Sequence, residues 1–138
     1  MEKPTSIRDC MYSNPLTIRQ DAPLAQAVDQ LVQFKLTGLT VVDEAGQPCG
    51  KLTELNCMRA ILNAIYNDGT PDNTRVDQVM ESEYHSCSPE ESIVEVAQRM
   101  CDTHQRRNAV VANGKLVGQV SSSNILWALM SHSRQKPV

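Results

Sequence analysis

Apolar residues recur along this chain in two alternating rhythms, and the whole alternation is written twice. Leu24, Ala27, Val28, Leu31 and Phe34 fall at spacings of three and four, the stripe one face of an α-helix shows to a core. Asp21-Ala22-Pro23 precedes them with a cap residue and an early-turn proline, and Gly38 is expected to end the helix. Pro15-Leu16-Thr17-Ile18 ahead of it and Leu39-Thr40-Val41-Val42 behind it read as short strands. Asp43-Glu44-Ala45-Gly46 then turns the chain into another strand from Gln47 to Leu52. Leu55, Met58, Ala60, Ile61, Leu62 and Ile65 supply the apolar side of a second helix.

The second half repeats this order. Ser88-Pro89-Glu90-Glu91 joins a serine cap, a proline at the first helical position and a glutamate three residues on, so a helix is predicted to start there. Ile93, Val96, Ala97 and Met100 form its stripe. Ala109–Ala112 and Leu116–Val120 flank Asn113-Gly114, the pair preferred in a two-residue hairpin. Ile125, Leu126, Ala128, Leu129 and Met130 lie on the closing helix.

Each half opens with a similar phrase, Ile7-Arg8-Asp9-Cys10-Met11 and Val76-Asp77-Gln78-Val79-Met80, offset by 80 − 11 = 69 residues. The offset holds through Val42/Val111, shortens to 68 at Gly46/Gly114, and stays there through Asn56/Asn124. The expectation is an α/β (α+β) protein of two units, each strand-helix-strand-strand-helix, over residues 6–66 and 76–131. A polar, turn-rich linker joins them over 67–75, and residues 134–138 are expected to fray. One copy is too short to bury both faces of its elements, so the two are expected to pack together about a pseudo-twofold axis.

Composition narrows the function. With 4% aromatic residues the core must be built from Leu, Val, Ile, Ala and Met. The net charge of −3 is spread evenly: residues 1–68 hold six basic and eight acidic groups, residues 69–138 seven and eight. Without a positive field, nucleic acid is not an expected partner. Five cysteines, at 10, 49, 57, 87 and 101, include no C-x-x-C pair and read as small core fillers in a reducing compartment, not as metal ligands or disulfides. No apolar stretch follows Met1 and no run approaches the ~20 residues of a membrane span, so a cytoplasmic protein without a membrane partner is expected. No G-x-S-x-G, H-E-x-x-H or P-loop is present, so no catalytic residue, metal site or enzymatic activity is assigned.

The opening phrases, Gly38-Leu39-Thr40-Val41-Val42-Asp43 in the middle, and Gly50-Lys51-Leu52-Thr53 before the last helix resemble a tandem pair of CBS (cystathionine β-synthase) domains, a Bateman module. The similarity covers about residues 6–131, and the ordered set occurring twice carries it. The resemblance implies a stand-alone regulatory module that needs no cofactor, binds an adenosine phosphate (AMP, ADP or ATP), forms a homodimer and signals to a separate, unidentified protein partner.

It also implies where a ligand would touch. The family's ribose signature, Ser or Thr and then Asp three residues later, is matched by Thr53-Asn56 and Ser121-Asn124, with Asn in place of Asp in both copies. An Asn oxygen accepts a hydroxyl proton without the charge assistance of a carboxylate, so weaker ribose binding is expected. The other reading makes Thr53 and Ser121 plain helix caps with solvent-facing asparagines. The family's phosphate-facing base at the end of the first helix corresponds to Lys35 and His104, and the adjacent Arg106-Arg107 pair offers guanidinium forks. The alternative for these cations is a solvated helix end. Thr17 and Ser86 on the first strand complete the expected contact set, with Leu39-Thr40-Val41 and Asn108-Ala109-Val110 on the middle one. Thr40 and Ala109 stand where the family has proline. A structural or dimerisation module that has lost nucleotide binding is the competing reading.

Overall fold

A computed structural model describes residues 5–134. Helix α4 runs to Arg134, and the rest of the expected frayed tail lies outside the described residues. The elements run β1 (Thr17–Arg19), α1 (Leu24–Gln33), β2 (Gly38–Val42), β3 (Pro48–Thr53), α2 (Glu54–Tyr66), β4 (Ser86–Cys87), α3 (Ile93–Thr103), β5 (Arg107–Ala112), β6 (Lys115–Ser121) and α4 (Ser122–Arg134). Short 3-10 turns occupy Ile7–Asp9, Pro71–Asn73 and Val76–Gln78. Both sheets have three strands, β1-β2-β3 and β4-β5-β6, with the first pairing parallel and the second antiparallel. The α/β order expected from the repeat is the order found.

The compact units are cut differently from the linear repeats. Leu16–Tyr84 forms one unit, called here the first, and the segment ending at Pro15 joins His85 onward in the second. Each repeat's opening phrase is thus spent on the sheet and helices of the other repeat. Val76 is fully buried in the first unit's core among Ile18, Leu24, Leu31, Val41 and Leu52. Ile7 is fully buried in the second unit's core among Ile93, Val96, Met100, Val110 and Ile125.

This exchange corrects both predicted helix starts. The serine-proline-glutamate signal does close a ring, since the Ser88 amide donates to Glu91 Oε2 at 2.7 Å, but the ring encloses a turn. Helix α3 begins at Ile93, where the Ser92 hydroxyl accepts from the Val94 amide. Ser92 stays extended, and the helix waits until Ile93, because the opening phrase claims the backbone on either side: the Ile7 amide donates to the Glu91 carbonyl and the Ile93 amide to the Thr5 carbonyl. The first unit does the same with Leu24 N–H to the Thr74 carbonyl and Val76 N–H to the Ala22 carbonyl. Asp21 therefore caps nothing and pairs with Arg19 at 2.9 Å.

Helix ends differ in a related way. Gly38 opens β2, whereas the turn after α1 is made by Lys35 in the left-handed region (φ 53°), and the turn after α3 by its counterpart His104 (φ 55°). The shortened offset is a change of hairpin. Asn113 and Gly114 both have positive φ, as a two-residue type I′ turn needs. In the first unit Asp43 Oδ1 instead accepts from the Ala45 and Gln47 amides across a longer loop.

Candidate functional site

Each sheet turns one face to its helices and leaves the other for different use. Strand alternation puts Leu39, Val41 and Leu52 on the helix side of the first unit, in the core, and Thr40, Lys51 and Thr53 on the opposite face. In the second unit Val110 and Val120 enter the core, while Arg107, Ala109, Gln119 and Ser121 share the other face. Register then gathers the expected residues within each unit. Thr17 pairs with Thr40, Thr40 with Lys51, and Gly38 with Thr53. Ser86 pairs with Ala109, Ala109 with Gln119, and Arg107 with Ser121. Two equivalent patches result, each combining a hydroxyl from the first strand, a middle-strand residue and the start of the last helix.

Some expected contacts are placed elsewhere. The side chains of Leu39, Val41 and Val110 are committed to the cores, which leaves only their backbone for a ligand. Asn108, the counterpart of Leu39, is a polar residue 4% exposed on the core-facing side of β5. Arg106 and Arg107 do not act as a pair. Arg106 lines a groove between α3 and α4 together with His104, on the helix side, while Arg107 lies half-buried on the opposite face of the sheet beside buried Ala109. Burial pulls the Arg107 guanidinium below its ordinary pKa, the direction expected for a cation withdrawn from water.

The two helix starts are capping boxes. Thr53 Oγ1 accepts from the Asn56 amide at 3.1 Å, and Asn56 Oδ1 accepts from the Thr53 amide at 2.9 Å. Ser121 Oγ accepts from the Asn124 amide at 3.2 Å, and Asn124 Oδ1 accepts from both the Ser121 amide and hydroxyl at 3.0 Å. The oxygen expected to receive a ribose hydroxyl is thus engaged within its own cap, by a backbone amide at Asn56 and by both an amide and a hydroxyl at Asn124, whose two lone pairs are used. What each Asn retains for a ligand is its Nδ2 amide, a donor where the family's Asp offers only acceptors. Lys51 and Gln119 share the patch faces but were not singled out from sequence; counting by twos back from Thr53 and Ser121 would have found them.

The cysteine reading holds in part. Cys57 and Cys87 are buried, and burial drives the Cys87 thiol up to about 11, which keeps it protonated and inert. Cys101, however, is exposed on α3. Among the described residues no cluster of His, Cys, Asp and Glu could hold a metal, and no helix is long and apolar enough to cross a membrane.

The duplicated strand-helix-strand-strand-helix unit, with Ser or Thr capping each last helix, defines a tandem pair of small α/β modules. The CBS domain family matches residues 7–63 and again residues 76–131, and the chain belongs to it. It is 26% identical over 125 residues, 91% of its length, to the uncharacterized protein MJ1225 of Methanocaldococcus jannaschii, of which it spans 43%. Among solved structures the CBS-pair protein CBSX2 from Arabidopsis thaliana superposes with a TM-score of 0.82 at 21% identity, covering 95% of this chain and 98% of that one. CBSX2 in complex with AMP gives 0.80 at 22% identity, covering 95% and 100%. The CBS domain pair of protein MJ0100, in complex with 5-methylthioadenosine and S-adenosylmethionine, gives 0.74 at 21% identity, covering 91% and 99%.

Proposed function

We propose that this chain is a regulatory module that binds an adenosine nucleotide (AMP, ADP or ATP) and passes the binding state to a separate protein by favouring one arrangement of itself. The observation that carries the reading is the pair of equivalent patches, Thr17-Thr40-Thr53 and Ser86-Ala109-Ser121, each at the start of a capped helix in a family whose members CBSX2 and MJ0100 have been solved with AMP and adenosyl ligands. Each patch face carries one cation, but Lys51 in the first stands 3.9 Å from Glu81 Oε1, whereas Arg107 in the second offers a guanidinium fork, so the second is the better candidate for a phosphate. A ligand shifts an equilibrium between arrangements only by its difference in affinity for them, so the partner is expected to prefer one state.

Calorimetric titration and thermal unfolding with AMP, ADP, ATP, S-adenosylmethionine and methylthioadenosine test this. Ligand at about a hundred times its dissociation constant adds roughly 2.7 kcal/mol of stability, which in a domain of this size raises Tm by several degrees. At least one adenosine phosphate is expected to give such a shift, and Arg107→Ala to weaken ATP more than adenosine. The absence of heat and shift with every ligand favours the second reading, a structural module. The specific support for that reading is the Asn124 oxygen, consumed by its own helix cap.

A further inference from the structure

The cap of α4 fixes which way the Asn124 amide faces. A backbone N–H can only donate, so the atom 3.0 Å from the Ser121 nitrogen is the oxygen, and Nδ2 is turned away from the cap. The Ser121 hydroxyl is engaged there too: it accepts from the Asn124 amide at 3.2 Å and gives its hydrogen to Oδ1 at 3.0 Å. The half-buried Asn124 side chain therefore brings two N–H donors and no spare acceptor to its end of the patch. A carboxylate in its place would keep one oxygen for the cap and hold the other out as an acceptor.

A free sugar diol and a sugar phosphate meet these donors differently. A hydroxyl can accept from Nδ2, but its own hydrogen then needs an acceptor, and the Asn124 oxygen is already taken by the cap. A phosphate ester on the sugar offers acceptors only, so it satisfies both Nδ2 hydrogens and strands no donor of its own. Charge points the same way. Arg107 lies on the patch face, paired in register with Ser121, and a guanidinium makes two-pronged, charge-assisted bonds to phosphate oxygens. The first turn of α4 holds no acidic residue, whereas α2 opens with Glu54.

We propose that the second unit selects an adenosine nucleotide that bears a phosphate on its 2′- or 3′-oxygen besides the one at 5′, with Asn124 as the residue that sets the choice. The inference rests on the nucleotide reading above and adds which sugar the patch takes. The amide geometry recurs at α2, where Asn56 Oδ1 accepts from the Thr53 amide at 2.9 Å. Glu54 beside that cap opposes an anion, so the selection is assigned to the second unit alone.

Calorimetric titration of the full chain with AMP, ADP, adenosine 2′,5′-bisphosphate and adenosine 3′,5′-bisphosphate decides it. ADP also carries two phosphates but leaves its diol free, so it separates recognition of the sugar from attraction by charge. One bisphosphate is expected to bind about tenfold tighter than ADP, the difference between a charged and a neutral hydrogen bond, and its identity tells which oxygen carries the phosphate. Asn124→Asp keeps the cap acceptor and puts a negative oxygen where the donor was. It is expected to reverse the order, tightening AMP and ADP and weakening that bisphosphate, each about tenfold. A melt followed by circular dichroism checks that the variant is folded. A wild type that binds ADP as tightly as both bisphosphates, or tighter, overturns the selection and leaves the nucleotide reading standing. A bisphosphate preference that survives in folded Asn124→Asp overturns the role of Asn124. The absence of binding by all four overturns the inference through the nucleotide reading on which it rests.

Discussion

Gly50→Ala is a severe test of the exchanged opening phrases. A Cβ at position 50 would stand 2.5 Å from the Glu81 carbonyl oxygen and 3.2 Å from the sulfur of Met80. An ordinary contact begins near 3.4 Å, so the carbonyl must retreat by 3.4 − 2.5 = 0.9 Å or the strand must bend away. That carbonyl accepts from the Lys51 amide at 2.9 Å, and the Glu81 amide donates to the Lys51 carbonyl at 2.9 Å. A shift of that size takes both bonds beyond hydrogen-bonding distance. Two lost bonds at about 0.5–1.5 kcal/mol each, added to about 1–3 kcal/mol for overpacking, give a destabilisation of roughly 2–6 kcal/mol. Gly46→Ala is the control: Gly46 has φ 80° with no atom within 4 Å of its missing Cβ, so its cost is conformational only, about 1–2 kcal/mol. Urea unfolding followed by far-UV circular dichroism measures both. A Gly50→Ala change within about 0.5 kcal/mol of wild type, or no larger than that of Gly46→Ala, would falsify the claim that residues 76–81 are packed on β3.

Other outcomes are expected on the same physical grounds. Lys35→Gly and His104→Gly should each stabilise the chain by about 1 kcal/mol, because a side chain in the left-handed region costs about 1–2 kcal/mol that glycine avoids; a loss of stability in denaturant titrations would show that these side chains make contacts worth more than the strain. The Arg99 guanidinium, 2.7 Å from Glu91 Oε1, and the Ser88 amide hold the Glu91 carboxyl below its usual range. Its folded pKa is lowered, so the stabilisation is present above the unfolded value near 4.3 and is lost as pH falls through the folded one. Glu91→Gln should therefore narrow the stability difference between neutral and acidic pH, by no more than about 1 kcal/mol for a solvent-screened pair; an unchanged pH profile would exclude this linkage. Asn124→Asp keeps an acceptor for the Ser121 amide and adds negative charge in the first turn of α4, so it should raise stability by about 0.3–1 kcal/mol without ligand. Its effect on AMP affinity, read by calorimetry, separates a ribose-facing Asn124 from one that serves only the cap.

Local signals were legible where the chain obeys only its neighbours. The Asn113-Gly114 hairpin, the stripe of α3 and that of α1 apart from Phe34 follow from period and turn chemistry alone, whereas Leu39, Val41 and Val110, expected as ligand contacts, point into the cores. The signals misled where a distant segment intervened. Ser88-Pro89-Glu90-Glu91 has every mark of a helix start, yet Thr5 and Ile7 take the backbone groups that a helix over 91–93 would have used. Gly38 resembled a stop because glycine favours left-handed turns, whereas Lys35 accepts that conformation and Gly38 is used in β2. At the candidate site, spacing found Thr53-Asn56 and Ser121-Asn124 but not that each Asn oxygen turns back onto its cap. Adjacency suggested that Arg106 and Arg107 work together, and the faces of the fold separate them.

The exchange of opening phrases also sets an order of synthesis. Leu16–Tyr84 is contiguous, so everything the first unit needs has left the ribosome once residue 84 has emerged. The second unit joins the segment ending at Pro15 to residues from His85 onward, and that segment must wait while roughly seventy residues are made before its β-bridge partners at Ser92 and Gln119 exist. Loop-closure entropy rises only slowly with length, so the delay costs little at equilibrium. Its weight is kinetic: the apolar side chain of Ile7 stays uncovered on the nascent chain until the second repeat emerges. A chain cut in its linker therefore yields two fragments that each carry the other's finishing piece, and they are expected to fold only when mixed.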